Sequence, residues 1–254
     1  AGDVIIAAVA PAVVGQFGPD ATPAKIVAAI KKLGISAVRD VSIGADLCTI
    51  EEAHDFLDKV PEQQPFMATS CCPSWSVMAK KLFPQFAPYI SMALTPMVIT
   101  ARMIKKEHPN AKVVFVGPCA AKKLEASRRS VRSDVDFVLT FEELQGMFDA
   151  KEINFKEIEP DTDPVFDTAT GAGRGFAVSG GVAHAISELA PDRELLVDYA
   201  DGLRECRKML MLAKAGKRNG YLLEGMGCPG GCVAGAGTIQ PAFKGASNVS
   251  RFQQ

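Results

Sequence analysis

Short apolar runs alternate along the chain with amphipathic stretches, and this alternation predicts a fold of strands and helices. Apolar runs of strand length are predicted at residues 4–10, 37–41, 66–70, 112–116, 137–140, 195–199 and 221–223. Helical patterns follow most of them, at residues 23–34, 50–60, 74–82, 96–107 and 203–214 and in the segment after Thr140. Strands that alternate with helices favour an α/β fold with mostly parallel sheet.

Residues that cap helices mark several of the predicted starts. Thr22-Pro23 and Thr95-Pro96 each place a capping hydroxyl before a proline at the first helical position. Thr140 and Glu143 have the spacing of a capping box. Residues 49–52, Thr-Ile-Glu-Glu, repeat that pattern, so we expect a helix to begin there.

The length of 254 residues is enough for one large domain or for two lobes. We expect two lobes, residues 1–108 and 109–254, divided near His108-Pro109-Asn110. Each lobe is predicted to hold a mostly parallel twisted sheet flanked by helices, with the functional site between the lobes. Residues 152–167 contain prolines and many acids and are expected to form a surface loop.

Charge and hydropathy argue against several classes of function. The net charge of −1 provides no electrostatic case for binding nucleic acid or an anionic membrane surface. Apolar runs all stay below the roughly 18 residues of a membrane span. The run at residues 4–10 is short and has no basic flank, so we interpret it as a strand and not a signal peptide. These features predict a cytoplasmic protein.

The cysteines carry the candidate chemistry. The chain has seven, an odd number, and no export signal, which argues against a disulfide framework. Three stretches, residues 69–75, 116–125 and 226–232, place cysteines beside glycine or proline directly after strand-like runs. With only three histidines in the chain, thiolate ligation is favoured, either of an iron–sulfur cluster or of an all-cysteine zinc site.

The candidate ligands are the cysteines at these turns: Cys72, Cys119, Cys228 and Cys232. Residues 229–231, Pro-Gly-Gly, let the backbone bend close to a cluster without a side-chain clash. The alternative is that the cysteines are small buried hydrophobes, which need no glycine or proline beside them. For Cys48 and Cys206, which lie in apolar helical surroundings, we expect this alternative to hold.

The three stretches together resemble the signature motifs of the iron–iron hydrogenases. Residues 69–75 fit T-S-C-C-P-x-W, residues 118–125 fit P-C-x-x-K-K-x-E, and residues 224–235 fit E-x-M-x-C-x-G-G-C-x-x-G. Ala10-Pro11 near the start adds to the match. The resemblance implies an H-cluster, which is a 4Fe–4S cubane joined through one cysteine to a diiron unit with CO, CN⁻ and a bridging dithiolate.

The resemblance also implies a role for each motif cysteine. Cys72, Cys119 and Cys228 would hold the cubane, and Cys232 would bridge it to the diiron unit. Cys71 would be no ligand; its thiol would pass protons to the dithiolate amine.

Other motif residues would contact the diiron unit. Lys122 would donate a hydrogen bond to a cyanide; the alternative is an ordinary solvated lysine. Pro11, Met226 and Phe176 would form the pocket walls, although they could equally be ordinary core residues.

A proton path from Cys71 to water needs ionisable groups at hydrogen-bond spacing. Glu52, Asp55 and Lys59 are spaced to share one helix face, and Ser91 could bridge that face to Cys71. The family uses two glutamates, a serine and an arginine here, so Asp55 and Lys59 are departures from it. The alternative for Glu52 is that it only completes a capping box.

The resemblance implies a hydrogenase that catalyses 2H⁺ + 2e⁻ ⇌ H2. Its partners would be H2, protons, maturation proteins that supply the diiron unit, and a ferredoxin or an iron–sulfur relay domain. A hydrogen sensor with low turnover is the first alternative, favoured by two pocket departures, Gly117 and Ala12, and disfavoured by Cys71. An iron–sulfur assembly protein that holds only the cubane is the second.

Overall fold

The computed structural model describes residues 4–254 and contains two parallel sheets. The strands are β1 (Ile5–Val9), β2 (Ala37–Asp40), β3 (Phe66–Ala68), β4 (Lys112–Gly117), β5 (Phe137–Thr140), β6 (Leu196–Asp201) and β7 (Tyr221–Met226). The helices are α1 (Pro23–Lys32), α2 (Ser42–Lys59), α3 (Pro73–Leu82), α4 (Pro96–Glu107), α5 (Ala121–Ala126), α6 (Phe141–Ala150), α7 (Gly171–Gly175), α8 (Gly181–Glu188), α9 (Leu203–Lys214) and α10 (Ala242–Phe252). Short 3₁₀ turns occupy Pro11–Val13, Pro84–Tyr89 and Cys232–Ala234.

The first sheet has the order β2-β1-β4-β5 and the second has the order β3-β7-β6. Each strand pair within residues 4–254 is parallel; Ala7, for example, lies opposite Val38 on one side and Val114 on the other. Helix α4 packs against β1 and β4, and α9 packs against β6 and β7. The predicted α/β fold with parallel sheets flanked by helices is confirmed.

The two sheets do not follow the expected division at residue 108. Strand β1 pairs with β4, which comes after that point, and β3 pairs with β7 near the other end of the chain. Parallel neighbours are joined by crossovers, so strands that are adjacent in a sheet need not be consecutive in the chain. Each sheet therefore takes strands from both sides of the expected boundary.

Most of the predicted helix starts agree with the structure, and one does not. The Thr22 hydroxyl accepts the Lys25 N–H, and Thr140 and Glu143 form the capping box. The predicted start at Thr49 is wrong, because α2 begins at Ser42 and the Thr49 hydroxyl donates to the Ala45 carbonyl one turn back, at 2.8 Å. Consequently Glu52 lies in the middle of a helix and is not a capping residue.

The glycine-rich segment that leads into α8 is tied to the second sheet by Glu224. This buried carboxylate on β7 accepts the N–H groups of Gly180 and Ala183, each at 2.8 Å. Gly180 has a φ of +84°, a conformation that costs glycine little. Glu224, the first residue of the third motif, thus has a structural role, because its carboxylate satisfies free N–H groups at the start of α8.

Trp75, the largest side chain that is fully buried, fixes α3 against the second sheet. Its indole N–H donates to the Thr69 carbonyl at 2.9 Å, and its ring lies over Gly225 of β7, where a Cβ atom would overlap it. The first cysteine turn, which lies between β3 and α3, is held in place by this packing. Within residues 4–254, no helix has the length and apolar character needed to cross a membrane.

Candidate metal centre

The three cysteine turns meet at one cavity, at the carboxyl ends of strands from both sheets. Cys71 and Cys72 follow β3, Cys119 follows β4 and Cys228 follows β7, and Cys232 comes one turn later. Ligand sites in parallel α/β folds are found at this end of the strands. The cavity has a volume of about 90 Å³, which is room for more than one water molecule.

Backbone N–H groups point at two of the predicted ligand sulfurs. Gly227 N–H donates to Cys72 Sγ and Ala121 N–H donates to Cys119 Sγ, each at 3.3 Å. Such bonds favour the thiolate, which is the form of cysteine that binds metal.

Cys228 and Cys232 each have a raised pKa to which neighbouring ligand cysteines contribute. Burial, followed by smaller effects of Cys72, Cys119 and Cys228, raises the pKa of Cys232 to about 12, and Lys122 opposes this rise. The pKa of Cys228 is raised by burial and then by Cys119 and Cys72. Four thiolates around one mostly apolar cavity need cationic compensation, and iron supplies it in iron–sulfur clusters.

The arrangement suits a cluster with several metal atoms. Within the described residues, no three cysteine, histidine, aspartate or glutamate side chains lie close enough together to share one ion. The thiols instead surround the cavity. Gly227 and Gly235 bring the backbone close, since a Cβ atom at Gly227 would press on Ser74 and one at Gly235 would overlap the Pro118 carbonyl. The donor set therefore fits a 4Fe–4S cluster.

Lys122 points into the molecule, as expected, and its side chain is only 13% exposed. Its ammonium donates to the Cys71 carbonyl at 3.1 Å and to Glu125 Oε2 at 2.7 Å. Thr95 donates to the other oxygen of Glu125, also at 2.7 Å. Burial acts to lower the pKa of Lys122, but Glu125, together with Cys71 and Cys232, outweighs burial and the pKa is raised, so the lysine stays charged.

Glu125 and Thr95 were not singled out from the sequence. The spacing of Lys122 and Glu125, three apart in a helix, is the signal that could have found the ion pair. Thr95 was expected only to cap α4, and its hydroxyl is used for Glu125 instead.

The predicted wall residues Pro11, Met226 and Phe176 all line the cavity. Apart from the cysteines, Lys122 and Ser74, the lining side chains are apolar. At Gly117, one of the two pocket departures, the ring of Phe115 occupies the space that a Cβ atom would need. Phe115 lines the cavity in that place.

Glu52, the inner group of the predicted proton path, is fully buried beside the first cysteine turn. Its Oε1 accepts the Ser70 N–H at 3.4 Å, and its Oε2 has no hydrogen-bond partner. Burial raises the pKa of Glu52 to about 7, against the smaller opposing effects of the Ser70 N–H and the Ser91 hydroxyl. Ser91 is itself buried and accepts the N–H of Ala93 at 3.1 Å.

The outer groups lie further along the same helix, toward the surface. Asp55 and Lys59 form an ion pair at 2.7 Å, with side chains 29% and 41% exposed. The hydrogen bonds among residues 4–254 include none that joins Glu52 to Asp55 or Ser91 to Cys71. The path through Ser91, Glu52, Asp55 and Lys59 stays a prediction.

Comparison with known proteins identifies the family. The family described as "Iron only hydrogenase large subunit, C-terminal domain" matches residues 3–236. The chain belongs to this family. Iron hydrogenase 1 of Clostridium pasteurianum is 30% identical over 92% of this chain and 50% of its own length. The cytosolic Fe-S cluster assembly factor narfl of Danio rerio is 26% identical over 94% of this chain and 71% of its own.

Solved structures agree on the fold of this family member. An apo variant of the [FeFe]-hydrogenase HydA1 from Chlamydomonas reinhardtii superposes with a TM-score of 0.78 at 22% identity, covering 98% of this chain and 84% of that one. The chain spans about half the length of the hydrogenase from Clostridium pasteurianum. The relatives include both hydrogenases and cluster assembly factors, so membership of the family does not decide between these functions.

Proposed function

We propose that the protein is a hydrogenase that catalyses 2H⁺ + 2e⁻ ⇌ H2 at an H-cluster. One observation carries this proposal: Cys71 and the ammonium of Lys122 line the same cavity as the four ligand cysteines. A 4Fe–4S cluster needs four thiolates and has no use for a fifth thiol or a buried cation. When bound, the diiron unit would supply the redox chemistry at which hydrogen is made or split.

In this proposal the cluster is held by thiolates from both sheets. Cys72, Cys119 and Cys228 would hold the cubane, and Cys232 would bridge it to the diiron unit with its CO, CN⁻ and dithiolate. The N–H groups that donate to Cys72 and Cys119 support the thiolate form at two of these positions. The mostly apolar lining, with Pro11, Phe176 and Met226 in it, would exclude bulk water.

Lys122 would hold an anionic ligand of the diiron unit. A buried ammonium with a single carboxylate partner keeps a further N–H free to donate, and a cyanide would accept it. The pair with Glu125 would keep Lys122 charged and aimed at the cavity before the diiron unit enters.

Protons would reach the cavity through Cys71. The buried Glu52 carboxyl, whose pKa of about 7 suits a group that both takes and gives a proton, lies beside the first cysteine turn and accepts the Ser70 N–H. Ser91 would connect Glu52 with Cys71, and the exposed pair of Asp55 and Lys59 would exchange protons with water.

The remaining partners follow from the proposed reaction. Electrons would come from a ferredoxin or an iron–sulfur relay domain, and maturation proteins would deliver the diiron unit. We also propose a cytoplasmic location, which a relative named as a cytosolic assembly factor supports.

Two other functions compete with catalysis. A hydrogen sensor with low turnover is favoured by the Phe115 ring at Gly117 and by Ala12 in the cavity wall, which leave the cavity less polar. A cluster assembly factor is favoured by the relatives that carry that name. The presence of both Cys71 and Lys122 in the cavity favours the hydrogenase over the assembly factor.

A turnover assay separates these functions. Protein matured with a diiron unit should evolve H2 from a reduced viologen dye, and protein that holds only the cubane should not. Sustained turnover supports the hydrogenase. Turnover close to the background of the cubane-only control, in a protein that has taken up the diiron unit, would identify the sensor. Failure to take up that unit would identify the assembly factor.

A further inference from the structure

Cys206, the buried thiol at the start of α9, is connected to a cluster ligand through one peptide group. Its Sγ lies 3.3 Å from the Met226 carbonyl oxygen and 3.3 Å from that of Ala200. The next N–H along the chain, that of Gly227, donates to Cys72 Sγ at 3.3 Å. The peptide group between Met226 and Gly227 therefore accepts from Cys206 on one side and donates to Cys72 on the other.

We propose that Cys206 is a positioning residue that sets the reduction potential of the cubane by fixing and polarising the Met226–Gly227 peptide. This inference rests on the proposed function only in taking Cys72 as a cubane ligand. Cys206 would never touch the cluster. Its thiol donates to the carbonyl of the Met226–Gly227 peptide, and the N–H of the same peptide donates to Cys72 Sγ. Cys206 therefore lies one hydrogen bond behind the group that contacts the ligand sulfur.

The surroundings of Cys206 support a polar role for what was expected to be a plain buried hydrophobe. The residue is fully buried between the end of β6 and the end of β7. A buried thiol needs no acceptor, yet this one has two carbonyls within reach. Burial raises the pKa of Cys206 to about 12, with Cys72 the next contributor, so the thiol stays protonated and remains a donor.

The direction of the effect follows from the charge on the cluster. Reduction adds negative charge, part of which lies on the ligand sulfurs, so a stronger N–H to sulfur bond favours the reduced state and raises the potential. A donor at the peptide carbonyl polarises the N–H of the same peptide, since linked hydrogen bonds strengthen one another. Removing the thiol of Cys206 should therefore make the potential more negative.

Removing the thiol of Cys206 should shift the reduction potential of the cubane without causing loss of the cluster. The Met226 carbonyl also accepts the N–H of Gly202 at 2.9 Å, so it keeps one donor when the thiol is removed. The single thiol proton is shared between two carbonyls, which makes its contribution to each of them partial.

Reconstituted protein that holds only the cubane allows a test without the diiron unit. We would compare the parent with Cys206→Ala, Cys206→Ser and Cys48→Ala in redox titrations followed by electron paramagnetic resonance, after measuring iron and sulfide per chain. Cys48 is the matched control, being equally buried and without a hydrogen bond to the Met226–Gly227 peptide. We expect Cys206→Ala to titrate at a more negative potential than the parent, with Cys206→Ser and Cys48→Ala close to the parent.

Equal potentials for the parent and Cys206→Ala would overturn the inference, as would equal shifts in Cys206→Ala and Cys206→Ser. If Cys206→Ala holds no cluster, we would compare Cys206→Val with Cys206→Thr instead. The valine and threonine side chains have similar volumes, and threonine has a hydroxyl where valine has a methyl group. A cluster in the threonine variant at a higher potential than in the valine variant supports the inference, and loss of the cluster in both contradicts it. A parent that binds no iron would overturn the proposed function as well.

Discussion

Replacing Glu52 with glutamine should remove part of the pH dependence of the stability of the fold. The native carboxyl has a pKa of about 7 because it is buried, whereas an ordinary glutamate ionises near 4.5. Between these values the native state holds a proton that the unfolded chain has released. Stability therefore falls as the pH rises through this window, and the loss is complete above the native pKa.

The size of this effect follows from the two pKa values. At about 1.4 kcal/mol per pKa unit, a rise from 4.5 to about 7 corresponds to about 3 kcal/mol. Glutamine does not titrate. Its amide would be buried where Glu52 Oε2 has no hydrogen-bond partner, and this would lower the free energy of unfolding by about 1–3 kcal/mol at every pH. The variant should thus be less stable than the parent at pH 4.5. Between pH 4.5 and pH 8 its free energy of unfolding should rise relative to that of the parent by about 3 kcal/mol.

Urea unfolding of the metal-free parent and Glu52→Gln, measured at several pH values from 4.5 to 8, checks this prediction. The difference between the two proteins is the useful quantity, because Glu224 has a similar pKa of about 7 and titrates in both. A constant difference across this range would show that Glu52 does not titrate abnormally in the native state. The reasoning about its burial, and its use as an inner proton carrier, would then be refuted.

Substitutions at the cavity should separate ligands from other residues. Cys72→Ala should lose the cubane or assemble it badly. Cys71→Ala should keep its iron and lower H2 turnover by about 10²–10⁴-fold, as loss of a general acid–base group does. Full activity in Cys71→Ala would exclude a proton route through Cys71. Cys71→Asp should recover more activity than Cys71→Ser, because a carboxyl group ionises readily and a hydroxyl does not. Lys122→Asn should impair diiron uptake and leave the cubane in place, measured as iron per chain, and normal maturation would contradict that role. Gly225→Ala should lower the urea midpoint sharply, since its methyl group would overlap the ring of Trp75, and an unchanged midpoint would contradict the packing described.

Local patterns in the sequence predicted the elements well. The bounds of α4 and α9 match the expectation; Pro96 marks the start of α4, and the amphipathic pattern alone marks α9. The start of α2 was misplaced because Thr49 and Glu52 match a capping box that the structure does not use. Helices α5, α7, α8 and α10 were not predicted. For α7 and α8 the reason is that glycine is a poor helix former, and the start of α8 is stabilised by Glu224 from a distant strand.

Long-range arrangement was harder to predict than local structure. The order of strands depends on crossovers, which is why the pairing of β1 with β4 could not be read from sequence distance. The motifs predicted which cysteines meet and that Lys122 turns inward, because each motif lies at the end of a strand. They did not reveal Thr95 as a partner of Glu125, since that contact joins residues 30 positions apart.

The central claim is that this cavity holds an H-cluster and not a cubane alone. The most direct test is the iron content of the matured protein together with its infrared spectrum. We predict iron in excess of the four atoms of a cubane, together with absorption bands of metal-bound CO and CN⁻. Iron at the level of a cubane and no such bands, under conditions that load a known hydrogenase, would contradict the claim.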